Sequence, residues 1–381
     1  MFALGMIRAE AIRGGEYVRI LLTHKDIFIS IGRMSISDHP KQLLSSSELV
    51  AVLKAAAEPT RLRILMLLRS GELNVKDLMQ ILRQSQPRLS RHLKLLHEAG
   101  LLERFREGSW VYFRLAEEPR FGELANSLTQ AADPEDPLIA RDRERLEALK
   151  REREQTAQAY FEAHASEWDR IRALHVAEGN VEAAMRAALS DHPLNVLVDL
   201  GTGTGRTLEL FSDRYDRAIG FDVNQSMLAY ARTKLSQAGH DRAQVRYGDI
   251  YNLSLPTEEA DAVVMHQVMH YLSDTSGALA EAGRVLKPGG RLLIVDFAPH
   301  QMEFLRDNHA HERLGFSTEQ VADWVRASGL ELIETQELAP TDASSDRLTV
   351  MLWLAKKPEV PPHLQSDRKP IAESKVLLEE I

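Results

Sequence analysis

The run Val196-Leu197-Val198-Asp199-Leu200-Gly201-Thr202-Gly203-Thr204-Gly205 constrains this chain more than any other stretch. An apolar segment ends in an acid and then turns through three alternating glycines. Glycine reaches backbone angles closed to other residues and, lacking a Cβ, lets a ligand approach the main chain. A buried strand that runs through such a turn into a helix is how open α/β sheets build nucleotide sites at their carboxyl edge. Asp222 ends the next apolar segment, residues 218–222, at a distance suited to ribose hydroxyls.

The spacing departs from the Gly-x-Gly-x-x-Gly of nicotinamide enzymes, because Arg206 stands where its third glycine would be. Three further signals extend the pattern. Gly248-Asp249-Ile250 follows a short strand, residues 245–247. A buried strand over 261–265 runs into His266 and Gln267. Leu286-Lys287-Pro288-Gly289-Gly290 turns into the apolar run 291–296. Together these residues resemble the class I S-adenosylmethionine-dependent methyltransferases, above all the small-molecule group typified by the ubiquinone/menaquinone C-methyltransferases. The resemblance spans residues 156–357.

That resemblance implies an α/β Rossmann-like domain with S-adenosylmethionine as its cofactor. Asp199 and the backbone of Gly201, Thr202, Gly203 and Gly205 would hold the methionyl end. Asp222 with Val223 would take the ribose, Asp249 with Ile250 the adenine, and His266 would complete the wall. Aromatic residues between Tyr160 and Trp168 would cover the ligand, or simply pack in the core. Methyl transfer is an in-line displacement, so positioning dominates and a base is needed only for a protonated acceptor. His266, His270 and His300, just beyond the fourth and fifth strands, are the candidate bases, with side chains that titrate near neutral pH. Their alternative role is packing. The Asp/Asn-Pro-Pro-Tyr motif of amino-group DNA methyltransferases is replaced by His266-Gln267-Val268-Met269, so DNA methylation is not expected.

At 381 residues the chain has room for two or more domains. It contains no cysteine, which excludes disulfides, thiolate zinc sites and thiolate-dependent arsenic methylation. His300, His309 and His311 lack an obvious acidic partner spacing, and no metal is expected. No apolar run approaches the length of a membrane span, and Arg8, Glu10, Arg13 and Glu16 interrupt any signal-peptide core. A cytoplasmic protein without a membrane partner is expected. The net charge of −9 is uneven: residues 1–120 hold 19 Lys and Arg against 13 Asp and Glu, and the remainder is acidic. A basic amino-terminal part points to a polyanionic partner.

Residues 1–40 match nothing that follows and read as an extension; residues 17–31 suit a strand or short helix. From Ser47 the pattern turns helical. Pro59 breaks the first helix and Thr60 is the expected cap of the next. A short helix over 75–82 precedes a longer one that starts at Ser85-Gln86-Pro87 and stops at Gly100, with Leu89, Leu93 and Leu96 on one face. Two strands joined by Glu107-Gly108-Ser109 read as a hairpin. Helix, turn, helix, hairpin is the winged-helix order. The stretches 58–65 and 89–101 resemble the ArsR-type bacterial repressors. That resemblance implies double-stranded operator DNA as partner, a homodimer through the winged helix, and Ser85, Gln86, Arg88, Ser90, Arg91, His92, Lys94 and Arg106 as DNA contacts. Where metal-sensing members carry Cys-Val-Cys, this chain has Asn74-Val75-Lys76, and Lys76 repels a cation.

The expected architecture is multidomain. An all-α/winged-helix domain over 41–120 and a charged, exposed linker helix over 121–155 precede the methyltransferase domain at 156–357 and a disordered tail at 358–381. Opposite charges three and four apart over 141–154 support the linker helix, with Leu146 and Leu149 as an alternative dimer contact. The function expected is a regulator that couples transcription to the methyl cycle, or else an enzyme methylating a small-molecule acceptor.

Overall fold

The computed structural model describes the backbone of residues 9–13, 16–22 and 27–33, and residues 44–116, 118–169, 178–340 and 348–359 in full. All but the first two residues of the expected tail lie outside the described residues. Met1–Leu49 forms a unit of its own. In it β1 (Ala9–Arg13), β2 (Glu16–Leu22) and β3 (Ile27–Arg33) make an antiparallel sheet in the order β1-β2-β3, so residues 17–31 supply two strands.

The second unit, Val50–Ile381, holds everything else. The winged helix opens with α1 (Ser46–Ala56), whose first four residues precede that unit, and α2 (Pro59–Leu68). Glu58, not Thr60, caps α2: its carboxylate accepts the Arg61 amide at 2.9 Å. Pro59 takes the first helical position, where a missing N–H is harmless, and so the cap falls two residues earlier than expected. A reciprocal capping box between Asn74 and Asp77 opens α3 (Val75–Leu82). Ser85 sits at the N-cap of α4 (Gln86–Glu98) without a side-chain bond to it. β4 (Leu73–Asn74), β5 (Leu102–Glu107) and β6 (Trp110–Leu115) form the wing sheet in the order β4-β6-β5. Leu89, Leu93 and Leu96 bury the α4 stripe against Ile64, Leu65, Leu78 and Ile81.

α5 (Pro119–Gln130) leads to α6 (Pro137–His164), a single helix of 28 residues. At 1.5 Å per residue it is about 42 Å long. The charged segment expected as an exposed linker is therefore the first half of a strut that continues into the second domain. Leu146 and Leu149 are buried in the winged-helix core, which removes them as a dimer contact. Asp142 receives Arg63 bidentately at 2.5 and 2.7 Å, and Arg145 donates to the Ile81 carbonyl at 2.9 Å. Charge patterning identified the helix, but not that one face of it packs.

The larger domain is a seven-stranded sheet of β7 (Leu194–Leu200), β8 (Tyr215–Asp222), β9 (Ala243–Tyr247), β10 (Ala260–His266), β11 (Leu286–Phe297), β12 (Glu331–Leu338) and β13 (Val350–Lys356). Their order is β12-β13-β11-β10-β7-β8-β9. β13 runs antiparallel to β11 and β12. Alternate residues of the inner strands feed opposite layers: Leu197, Val264 and Leu293 enter one core, and Val198, Val263 and Leu292 the other. Burial on both faces explains why these strands read as continuous apolar runs. After β9 the chain returns to the far side of β7, so the strand order reverses between β7 and β10. That switch point is where open α/β sheets leave a crevice.

Candidate functional site

The crevice opens at the carboxyl ends of β7, β8 and β10. Gly201, Gly203 and Gly205 all have positive φ (70°, 51° and 79°), so the turn needs its glycines. At Gly201 a Cβ would also collide with Val268 Cγ2 from the neighbouring turn. The amides of Gly201 and Thr202 both donate to the Phe221 carbonyl at 2.9 Å, and the Gly203 amide donates to Asp222 Oδ2 at 2.9 Å. Asp222 Oδ1 accepts the Asn224 amide at 2.8 Å. Burial pushes the Asp222 carboxyl above its ordinary pKa, opposed by these amides.

A cavity of about 410 Å³ fills the crevice, within the range of small-molecule sites. Of the residues singled out in the sequence, Gly201, Thr202, Gly203, Asp222, Val223, Asp249, Ile250 and His266 all line it. Asp199 and Gly205 do not; Asp199 is buried beneath the loop on β7.

The opposite wall was anticipated only for the aromatic residues between Tyr160 and Trp168. It is α6, which contributes Arg151, Glu154, Gln155, Gln158 and Phe161. Asn224 Nδ2 donates to Gln158 Oε1 at 3.0 Å, fixing the β8 loop to this helix. Burial and the nearby Asp249 charge raise the Glu154 pKa. Phe161 and Trp168 meet edge to face at 5.2 Å, and Phe161 and Tyr271 at 4.8 Å, and all three rings line the cavity. Tyr160 instead turns away to His309, its hydroxyl 2.7 Å from Nδ1.

Gln267 is a further residue whose role the sequence did not reveal. It follows β10 at φ 54°, a strained angle for a non-glycine residue, and is only 7% exposed. The residue lines the cavity, and its Nε2 is buried with no hydrogen-bond partner among the described residues, as is Thr202 Oγ1. Met265 pairs with Leu200 across β10 and β7, which brings the Gln267 turn beside the Thr202 loop. Two unsatisfied donors at a switch point suit a polar ligand.

Of the three candidate bases, only His266 is on the cavity wall. His270 is buried behind Tyr271, with Nδ1 2.7 Å from Asp296 Oδ1 and its amide 3.3 Å from Asp296 Oδ2. His300 also lies off the wall, and burial with the neighbouring His270 depresses its pKa to about 4. A local sequence offset could not tell these positions apart, because the partner Asp296 comes from another strand.

On the winged helix, Ser85, Gln86, Arg88, Ser90, Arg91 and Lys94 are exposed along α4. Neither Arg88 nor Arg91 is engaged by another described residue. His92 is half-buried against Glu58, with Nδ1 3.5 Å from its carboxylate, and so faces away from that surface. Arg106 is exposed on the wing, with Nε 3.0 Å from the Gly108 carbonyl of its own turn. No described helix is long and apolar enough to cross a membrane.

The fold is a winged helix joined to a class I methyltransferase fold. Residues 58–104 match the bacterial regulatory protein arsR family and residues 198–294 the methyltransferase domain family. The chain thus joins an ArsR-family helix-turn-helix domain to a class I methyltransferase domain. Its amino-terminal part is 50% identical over 68 residues to the arsenical resistance operon repressor of Escherichia coli, covering 18% of this chain and 58% of that protein. The other domain is 34% identical over 157 residues to the demethylmenaquinone methyltransferase of Deinococcus radiodurans, covering 39% and 64%. It is also 31% identical over 153 residues to a malonyl-(acyl-carrier protein) O-methyltransferase of Serratia marcescens, covering 40% and 57%. The chain spans less than two thirds of the length of each of these relatives.

Proposed function

We propose that the protein is a cytoplasmic transcriptional regulator that binds operator DNA as a homodimer and responds to S-adenosylmethionine or S-adenosylhomocysteine, coupling transcription to the methyl cycle. One observation carries this reading: α6 is both a wall of the ligand cavity and a strut of the winged helix. Filling the cavity on one face of that helix acts on a body whose other end holds Arg63 through Asp142. The residues present fit an adenosyl ligand. Acids at the β8 and β9 end suit ribose hydroxyls and an exocyclic amine, and unsatisfied donors at the β7 and β10 end suit an amino-acid arm. The glycine loop leaves room for close backbone approach.

Exposed Leu49, Val50 and Leu53 on α1 support the homodimer, since an apolar helix face in water favours a partner. In the dimer both recognition helices must engage together, so a small change in their spacing changes affinity. Linkage requires operator and ligand to alter each other's affinity by the same factor, about 5- to 150-fold for a coupling of about 1–3 kcal/mol. Operator binding by fluorescence anisotropy, without ligand and with each ligand at saturation, is the test. Equal affinity in all three conditions rejects the sensor reading.

His266 on the cavity wall favours a second reading, methyl transfer to a small-molecule acceptor. Turnover with candidate acceptors distinguishes it, and His266→Ala should then lower kcat by more than it changes ligand affinity.

A further inference from the structure

The hairpin wing of a winged helix is an exposed projection with backbone amides free to meet phosphates. Here the wing tip is docked on the methyltransferase domain. Glu107, at the end of β5, is 7% exposed. Its carboxylate accepts Arg306 Nη2 at 2.6 Å, Arg313 Nε at 2.7 Å and the Leu314 amide at 2.6 Å. Arg313 Nη1 also reaches Glu72 of the winged helix at 2.7 Å. The Arg306 guanidinium lies 4.4 Å from the Trp110 ring, and that of Arg313 lies 4.9 Å from Tyr112. Gly108 has φ 58°, and a Cβ there would collide with the Glu303 carboxylate.

We propose that this wing is an intramolecular docking surface, and that the protein reads DNA through α4 while the wing stays on the methyltransferase domain. The Ser109 amide at the tip, a group suited to a phosphate oxygen, donates to Glu303 instead. A phosphate approaching the tip meets that carboxylate. Lifting the wing off requires several charge-assisted bonds to break together, taking the Glu107 carboxylate away from Arg306 and Arg313 in a mostly buried surface. The exposed cations of α4, Arg88 and Arg91, carry no comparable commitment. The docked wing is also in register with the ligand cavity, since the Arg313 and Glu312 amides both donate to the His270 carbonyl, next to Tyr271 on the cavity wall.

This inference rests on the reading of α4 as a DNA-binding helix. The chain has no cysteine, so Ser109→Cys with Glu303→Cys gives a single reactive pair in the full-length protein. A short bis-maleimide should join the two within one chain. A duplex selected from a random pool by the wild-type protein serves as the DNA probe. The cross-linked protein should bind it within twofold of the uncross-linked variant, and Arg88→Ala should weaken both at least tenfold. Two surface variants that leave the docking contacts intact, Arg104→Ala and Arg106→Ala, should change affinity less than twofold. Tenfold weaker binding after cross-linking, failure of the intramolecular link to form, or a loss with Arg106→Ala equal to that with Arg88→Ala overturns the proposal. Failure of the wild-type protein to select any duplex overturns the DNA-binding reading itself, and the wing assignment with it.

Discussion

Arg153 and Glu154 are neighbours on α6 that serve different domains. Arg153 bridges Asp77, in the capping box of α3, and Glu312 of the methyltransferase domain. Glu154 faces the ligand cavity beside Asp249. One turn of helix thus connects the cavity wall to the base of the helix-turn-helix.

Arg153→Met should break that connection. It leaves the Asp77 and Glu312 carboxylates buried without their cation, and removing one partner of a buried pair costs about 3–5 kcal/mol. Urea denaturation should show that loss. In the folded fraction, any ligand-dependent change in operator affinity should shrink toward zero, whereas retention of the full response would place the coupling elsewhere.

Gln267→Leu should separate stability from binding. The amide Nε2 makes no hydrogen bond to any described residue, so removing it costs no contact with them. Unfolding free energy should stay equal or rise, while calorimetric affinity for S-adenosylhomocysteine falls by about 1–3 kcal/mol, the cost of a lost hydrogen bond in a buried site. Unchanged affinity would mean that Gln267 does not face the ligand.

Gly201→Ala should destabilise the loop through its positive φ and its collision with Val268 Cγ2. Overpacking of this kind costs about 1–3 kcal/mol. Adding Val268→Ala to the same chain should recover part of it, a non-additivity readable in a double-mutant cycle. Additive losses would assign the whole cost to backbone strain.

His300 predicts a pH dependence. Its pKa falls from 6.5 to about 4 on folding, so between those values the unfolded chain binds the proton and the folded one does not. Stability contributed by this site is intact above about pH 6.5 and declines as the pH drops toward 4. Chemical denaturation across that window should show the decline, and His300→Asn should flatten it. A slope unchanged by the substitution would assign the titration to another group.

Exposed Arg88 and Arg91 should each cost about 1–3 kcal/mol of operator affinity on conversion to Ala if they read bases, with the loss selective for sequence. His92→Ala should act differently. Its ring packs on Glu58, so the variant should alter stability more than operator preference. A sequence-selective loss with His92→Ala would put the ring in the DNA interface.

Local chemistry made much of this molecule legible in its sequence. The Gly201–Gly205 turn was readable because positive φ restricts residue choice, and α4 because Pro87, its apolar stripe and Gly100 mark a helix without reference to anything distant. Asp222 and Asp249 followed from their positions at strand ends. Tertiary structure alone decided the rest. Glu107 meets Arg306 and Arg313 about 200 residues away, and His270 is committed to Asp296 by the pairing of two strand ends. α6 reads in sequence as a solvated charged helix, because alternating charge satisfies helix propensity whichever face is covered. Which of its charges face water, which pair with the winged helix and which line a cavity is set by the surfaces packed against it, and those come from distant parts of the chain.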